Sequence, residues 1–208
     1  MTRDEFAKLY DVSRETMERL DTYVALLKKW SQAINLLGPV DEAELWSRHI
    51  ADCGQLIEHL PDDPKSWLDV GTGAGLPGIV MAILMTEMHP DLQMTLLDSD
   101  KKKAAFLREV CRQTSLRNVD VLAERTEDVP AKRYDVVSAR AFAPLRRLLR
   151  NVALISPDAG QLLLHKGKNV DAEIDDALLE WNIQAQTLPS RTDPDGVILR
   201  IESFSRKP

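Results

Sequence analysis

The chain has 208 residues, 44% apolar and 29% charged, with a formal net charge of −6 at pH 7, which suits one compact domain with a modest extension. Its longest apolar run, Ile79 to Met85, is too short to span a bilayer, and the opening Met1 to Phe6 lacks the basic stretch leading into an apolar one that marks a secretory signal. Two cysteines, Cys53 and Cys111, make neither a disulfide framework nor a zinc cluster; they read as reduced thiols at half-buried helical positions, so a reducing cytoplasm is expected.

The first 60 residues read as helices. Met17, Leu20, Val24, Leu27, Trp30, Ile34 and Leu37 recur at steps of three or four, predicting an amphipathic helix capped near Ser13 and ended by Gly38-Pro39. Asp41 with Glu44 resembles a capping box, and Leu45, His49, Cys53, Leu56 and Leu60 mark one face of a second helix, closed by Pro61 and Pro64. On that face His49 reads as a hydrogen-bonded core histidine, with substrate contact second.

From Ser66 short apolar runs alternate with helical stretches. Strands are predicted at Trp67 to Val70, Met94 to Leu97, Val119 to Leu122, Tyr134 to Ser138 and Gln161 to Leu164. Between and after them helices are predicted at about Pro77 to Met88, Lys101 to Gln113, Leu145 to Leu154 and Val170 to Leu179. Such alternation implies parallel strands with crossover helices. Two last strands, Ile183 to Leu188 and Val197 to Ile201, are joined across Pro194-Asp195-Gly196, which suggests an antiparallel hairpin at the sheet edge. The expected architecture is α/β: a Rossmann-like, mostly parallel seven-stranded sheet with a C-terminal antiparallel hairpin. Residues 1–62 would form a helical extension packed on a main domain over 63–208.

Leu68-Asp69-Val70-Gly71-Thr72-Gly73-Ala74-Gly75 places three glycines after the first of these strands. Glycines there allow a tight turn and let a ligand approach without meeting a Cβ, and the next helix offers free N–H groups and a positive dipole end. A nucleotide or nucleoside cofactor is the natural ligand. Gly73-Ala74-Gly75-Leu76-Pro77-Gly78 also satisfies the dinucleotide fingerprint, and Asp98 follows Gly78 at about the spacing of its ribose-binding acid, so the loop alone does not reject NAD. Three features favour S-adenosylmethionine (SAM): Asp69 inside the strand, the absence of a Tyr-x-x-x-Lys pair for hydride chemistry, and the closing hairpin. Asp98 would accept hydrogen bonds from both ribose hydroxyls, a role compatible with capping the helix after it.

Charge is unevenly placed. Lys101 to Lys168 holds 15 basic and 7 acidic residues, against 12 and 26 in the remainder. A basic field of this kind attracts a polyanion even on an acidic protein, unless the residues are spread over solvated helix faces.

With these residues in hand, the chain resembles the bacterial ribosomal small-subunit methyltransferase G family from about Leu27 to Lys168. The resemblance rests on Trp30 with Asn35-Leu36, on Arg48-His49-Ile50 with Asp52, and on the loop from Leu68 to Gly78. Leu97-Asp98-Ser99 with Lys101 to Lys103 and Phe106-Leu107-Arg108, Arg125-Thr126-Glu127-Asp128, Ser138-Ala139-Arg140-Ala141-Phe142 and Lys166-Gly167 complete the series. Ser31, Gln32, Leu37 and Cys53 depart from the family's usual residues, all within the N-terminal helices.

The resemblance implies methylation of N7 of a guanine in the decoding-centre loop of 16S rRNA, with SAM as cofactor and no metal. Gly71, Gly73 and Gly75 would lie against the methionine and ribose portions, Leu76 near the adenosine, and Thr126-Glu127 at the adenine edge, with Glu127 alternatively a helix-start carboxylate. Asp98 would hold the ribose, and Arg140 would line the cofactor site as a positioning group. Guanine N7 has a lone pair and no proton, so no acid or base is assigned. Neither Cys53 nor Cys111 is expected near a strand's carboxyl end, as C5 methylation would need, and Ser138 to Pro144 lacks the polar residue-Pro-Pro-aromatic motif of exocyclic-amine methylases. Phe142 would stack on an exposed base or pack in the core. Lys101, Lys102, Lys103, Arg146, Arg147, Lys166 and Lys168 are candidates for phosphate contacts. The expected partner is 16S rRNA or the small ribosomal subunit, no membrane is involved, and the protein is expected to be a monomer. Rival readings are a SAM methyltransferase of a small molecule or protein, a SAM-binding regulatory module without catalysis, and an NAD-dependent enzyme.

Overall fold

A computed structural model describes residues 1–208. Two helices open the chain, α1 (Arg3–Leu9) and α2 (Arg14–Ser31), and Ser13 caps α2 by accepting from the Thr16 N–H. The helix predicted to run on to Gly38 stops at Ser31: the Trp30 carbonyl takes both the Ala33 and the Ile34 N–H in a tight turn. Ser31 and Asn35 are weak supporters of a further helical turn, while Ile34, Leu36 and Leu37 reach the core from the loop instead. The second predicted helix is a composite: α3 (Glu42–Glu44), a π-helical stretch (Leu45–Ile50), α4 (Ala51–Gly54) and a 3-10 turn (Gln55–His59). Asp41 caps its start at the Glu44 N–H.

The remainder alternates β1 (Ser66–Val70), α5 (Gly78–Met88), β2 (Gln93–Leu97), α6 (Lys101–Gln113), β3 (Val119–Leu122), β4 (Val136–Arg140), α7 (Leu145–Ile155), β5 (Gln161–Lys166), α8 (Val170–Leu178), β6 (Trp181–Pro189) and β7 (Val197–Arg206). The sheet order is β3-β2-β1-β4-β5-β7-β6. The first five strands are parallel and β7 runs antiparallel between β5 and β6. Strand β4 lies two residues later than the sequence pattern predicts, because its pairing with β1 starts at Val136 opposite Trp67 and its pairing with β5 runs to Arg140 opposite His165. Arg140 is therefore the last residue of the strand. The closing hairpin is longer than its apolar core suggests, since its outer residues are polar and solvent-facing.

Helix α5 explains the N-terminal segment. It is apolar all round, Gly78-Ile79-Val80-Met81-Ala82-Ile83-Leu84-Met85, and every one of these residues is buried. A helix with no polar face must be covered on both sides; the sheet covers one side, and α2 with α4 covers the other. One continuous core thus joins Leu20, Tyr23 and Leu27 of α2 to α5, α6 and the sheet. A second core, on the opposite face, packs Leu148, Leu149 and Val152 of α7 against Leu162, Leu164 and Leu199. No helix is long and apolar enough to cross a membrane.

Candidate cofactor and acceptor clefts

Strand order reverses between β1 and β4, and ligands of open α/β sheets bind beyond the strand ends at such a point. The glycine-rich loop sits there. Its three glycines take left-handed backbone, with φ of +66° at Gly71, +57° at Gly73 and +93° at Gly75. The Leu97 carbonyl at the end of β2 accepts the N–H groups of both Gly71 and Thr72. Asp98 then fastens the loop: its Oδ2 accepts the Gly73 N–H at 2.9 Å, and its Oδ1 accepts the Asp100 N–H at 2.8 Å. Asp98 is not the cap of α6. Asp100 is, accepting from Lys102 and Lys103, which leaves the Asp98 carboxylate half-buried at the mouth of the cleft.

Beneath the loop lies a buried polar chain. Trp67 Nε1 donates to Ser138 Oγ at 2.8 Å, Ser138 donates to Asp69 Oδ1 at 2.7 Å, and the Gly78 N–H donates to Asp69 Oδ2 at 2.9 Å. Burial pushes the Asp69 carboxyl up to about 6 despite these bonds. A further brace has no sequence signal near the loop: buried Tyr23, from α2, donates its hydroxyl to the Ala74 carbonyl at 2.8 Å.

The glycines serve different ends. A Cβ on Gly75 would lie 2.5 Å from Ile79 and 3.0 Å from Leu107, so Gly75 admits helix packing. A Cβ on Gly71 would lie 2.0 Å from the Phe142 ring, so Gly71 admits an aromatic side chain of this same protein. Only at Gly73 is there open space, the nearest atom being 3.8 Å away. The cleft beside it holds about 470 Å³ and brings together Gly71, Asp98, Thr126, Glu127, Lys103 and Phe142. A carboxylate able to accept sugar hydroxyls, open space over a cradling glycine and an apolar wall at Phe142 fit a nucleoside cofactor. Leu76 takes no part in this wall; it is 5% exposed, within the core.

Arg140 also lies elsewhere. Its Nε donates to Asp52 Oδ2 at 3.0 Å, one terminal nitrogen lies 3.3 Å from His49 Nδ1, and the other donates to the Arg48 carbonyl at 2.9 Å. It faces a second cleft of about 650 Å³ that it shares with Asp52, Phe142, His165 and Lys166. Ala141 makes the division. Its φ of +51° is a strained value for a residue with a Cβ, and it turns the chain so that Arg140 and Phe142 part. Phe142 lines both clefts and forms the wall between them. His49 is half-buried against Arg140, not in the core, and burial and then the guanidinium hold its basicity below that of ordinary histidine. Cys53 comes nearer the strand ends than the sequence suggests, next in chain to Asp52. Yet both cysteines are buried, and burial raises both thiols, Cys53 well above the ordinary value.

The predicted phosphate contacts divide as well. Lys166 Nζ is spent on Glu173 at 2.7 Å and the Ala143 carbonyl at 3.0 Å, and Arg146 on Glu180 at 3.0 Å and Asp176 at 3.3 Å. Lys101, Lys102 and Lys168 are exposed, and Lys103 and Arg147 flank the cofactor cleft, all five without an ion pair.

The chain is similar to known proteins along nearly its whole length. The model of the family described as rRNA small subunit methyltransferase G matches residues 16–193. Ribosomal RNA small subunit methyltransferase G of Cereibacter sphaeroides is 42% identical over 205 residues, covering 99% of both chains. The protein of the same name from Rhodospirillum rubrum is 42% identical over 207 residues, covering 99% of this chain and 100% of its own. Among solved structures, a SAM dependent methyltransferase from Aquifex aeolicus superposes with a TM-score of 0.58 at 16% identity, covering 86% of this chain and 97% of its own. A ribosomal protein L11 methylase from Lactobacillus delbrueckii gives 0.57 at 16%, with 83% and 91% covered. The solved structures establish the methyltransferase fold, and the sequence relatives establish more: this chain belongs to the rRNA small subunit methyltransferase G family.

Proposed function

We propose that this protein transfers the methyl group of SAM to N7 of a guanine in the decoding-centre loop of 16S rRNA, acting as a cytoplasmic monomer on the free RNA or the small subunit. The observation that carries the cofactor assignment is Asp98 clamping Gly73, the one of the three loop glycines with open space above it, at the sheet's switch point. Asp98 would accept the ribose hydroxyls, Gly73 would let the methionine portion approach the backbone, Gly71 would border the cleft through its backbone, and Thr126 with Glu127 would border the adenine. Bound there, SAM supplies an electrophilic methyl on a cationic sulfur.

The protein's own work is positional. N7 has a lone pair and no proton to lose, so no general base is required; alignment of reactants alone lowers a barrier by about 7–11 kcal/mol in favourable cases. Phe142, between the two clefts, would press against the base and keep water from the junction. Arg140, held on three sides, would orient the base. N7 inside an RNA duplex lies in a groove that side chains do not enter, so the target is a loop or flipped nucleotide. Lys101, Lys102, Lys103, Arg147 and Lys168 would meet the phosphates around it. The helical segment to residue 62 is an extension bracing the methyltransferase domain over 63–208. The test is methyl transfer from labelled SAM to small subunits, naked 16S rRNA and a metabolite pool, with the modified nucleotide mapped. Label confined to metabolites, or on a different atom of the RNA, refutes the proposal.

A further inference from the structure

One polar side chain at the cofactor cleft belongs to none of the motifs that mark the family. Asn151 lies on α7, one helical turn beyond Arg147, and both line this cleft together with Thr126 and Glu127. On the same helix Leu148, Leu149 and Val152 are buried in the core, so Arg147 and Asn151 form the flank that the cleft exposes. Asn151 is half-buried. Its carboxamide takes no hydrogen-bond partner within the chain, and both of its polar atoms keep accessible surface. A second set of unspent groups adjoins it. Helix α7 packs against the 3-10 turn at Thr126–Asp128, and the N–H groups of Thr126 and Glu127 donate to nothing in the chain. The first N–H groups of any helical turn lack internal partners; here they border a cleft.

We propose that Asn151 recognises the adenine of the cofactor, Nδ2 donating to N7 and Oδ1 accepting from the N6 amine, while the N–H groups of the Thr126–Glu127 turn serve N1. A carboxamide offers one donor and one acceptor side by side, the complement of N7 and N6–H. N1, N6 and N7 follow one another along one edge of adenine, so a base seated between the turn and α7 presents N1 to the first and N7 to the second. Hypoxanthine and guanine carry O6 in place of the amine and a proton on N1. O6 and N7 are then both acceptors, so the carboxamide meets a mismatch whichever way it is turned, and N1–H points at a donor. Asp98 and the glycine loop hold the parts common to every such nucleoside and do not distinguish bases. This assignment rests on the cofactor reading above and adds to it the residue that selects the base.

The test is calorimetric titration of the full-length protein with S-adenosylhomocysteine, its 7-deaza analogue and its inosine analogue, which requires neither RNA nor turnover. The 7-deaza analogue lacks one acceptor and is expected to bind wild-type protein about 5–10-fold more weakly. The inosine analogue should bind about 100-fold more weakly or worse, as in sites built around hydrogen bonds. Asn151→Ala should weaken S-adenosylhomocysteine by about 5–100-fold and erase the 7-deaza penalty, leaving the two compounds within about twofold of each other. Its melting temperature without added compound should not fall, since Asn151 makes no bond in the chain and alanine favours a helix. In methylation assays KM for SAM should rise while kcat at saturating SAM stays unchanged. Wild-type protein that binds the 7-deaza analogue as tightly as S-adenosylhomocysteine overturns the proposal without any mutant, and so does a 7-deaza penalty that survives in Asn151→Ala. Failure of wild-type protein to bind S-adenosylhomocysteine at all refutes the parent cofactor assignment instead.

Discussion

Substituting alanine at Gly75 and at Gly73, two glycines of the same loop, should produce opposite defects. At Gly75 the added Cβ meets Ile79 Cγ1 at 2.5 Å, Ile79 Cβ at 2.9 Å and Leu107 Cδ2 at 3.0 Å, with φ at +93°. Left-handed backbone costs a residue with a Cβ about 1–2 kcal/mol, and forcing a methyl into a packed core costs about 1–3 kcal/mol more. The sum, about 2–5 kcal/mol, lowers the melting temperature by roughly 5–15 °C for a chain of this size. At Gly73 the backbone cost of about 1–2 kcal/mol stands alone, since the nearest atom is 3.8 Å away. Gly73→Ala should melt only about 3–6 °C early. Its Cβ occupies the open space assigned to cofactor, so SAM affinity should drop by about tenfold or more. Scanning calorimetry and titration calorimetry on both variants check the pair. Normal SAM affinity in Gly73→Ala refutes the cradle, and a Gly75→Ala protein as stable as wild type refutes the packing assignment.

Tyr23→Phe strands the buried Ala74 carbonyl, at about 1–3 kcal/mol; melting should fall and SAM should bind about 3–10-fold more weakly, and lost stability with unchanged affinity would make the bond structural only. Asp69 gives a pH signature. With its folded value near 6 against an ordinary 3.8, the folded state holds this proton more tightly, so the group's contribution to stability is present below about pH 4 and lost as pH rises through 6. Asp69→Asn is neutral throughout, so between pH 4 and 7 its stability relative to wild type should rise by about 3 kcal/mol, measured by urea unfolding; a flat difference across that window refutes the shift. Arg147→Ala should reduce the salt dependence of RNA binding by about one counterion, whereas Arg146→Ala should leave it unchanged and lower the melting temperature, because Arg146 is spent on Glu180 and Asp176. Equal effects on the salt slope would undo that division. Asp52→Asn releases Arg140 and should lower kcat by about tenfold or more with little change in SAM affinity; a fall in SAM affinity alone would return Arg140 to the cofactor.

The sequence was most legible where neighbours in the chain make the structure. Helix α6 and strand β3 have the bounds the pattern predicts, because a one-sided apolar stripe and a short Val-Asp-Val-Leu alternation are local signals. The glycine loop and Asp98 were legible for the same reason. Distance in sequence hid the rest. Asp52 and Arg140 are 88 residues apart, and Tyr23 and Ala74 are 51 apart; no periodicity encodes such bonds. Asp98 and Asp100 are both helix-capping residue types two positions apart, and only the turn geometry decides that Asp100 caps. The charge excess between Lys101 and Lys168 overstates the basic surface, since Arg146 and Lys166 are neutralised by acidic residues of the next helix and its end.

Those long-range bonds share a purpose. A site that works by holding two reactants in line, with no acid or base to compensate for misplacement, depends on rigid supports. The glycine loop is held mainly through its backbone groups, and Arg140 is the half-buried last residue of β4. Each receives a further bond from the N-terminal helices: the loop, already held by Asp98 and the Leu97 carbonyl, from Tyr23, and the arginine from Asp52, Arg48 and His49. Asp52 also accepts from Thr192 at 2.7 Å, and Gln55 binds the Arg191 N–H at 2.9 Å, so the β6–β7 connection is tied to the same helix. The N-terminal helices that shield α5 from water thereby also brace the residues bordering both clefts. A loosened extension should disturb catalysis before it disturbs the sheet.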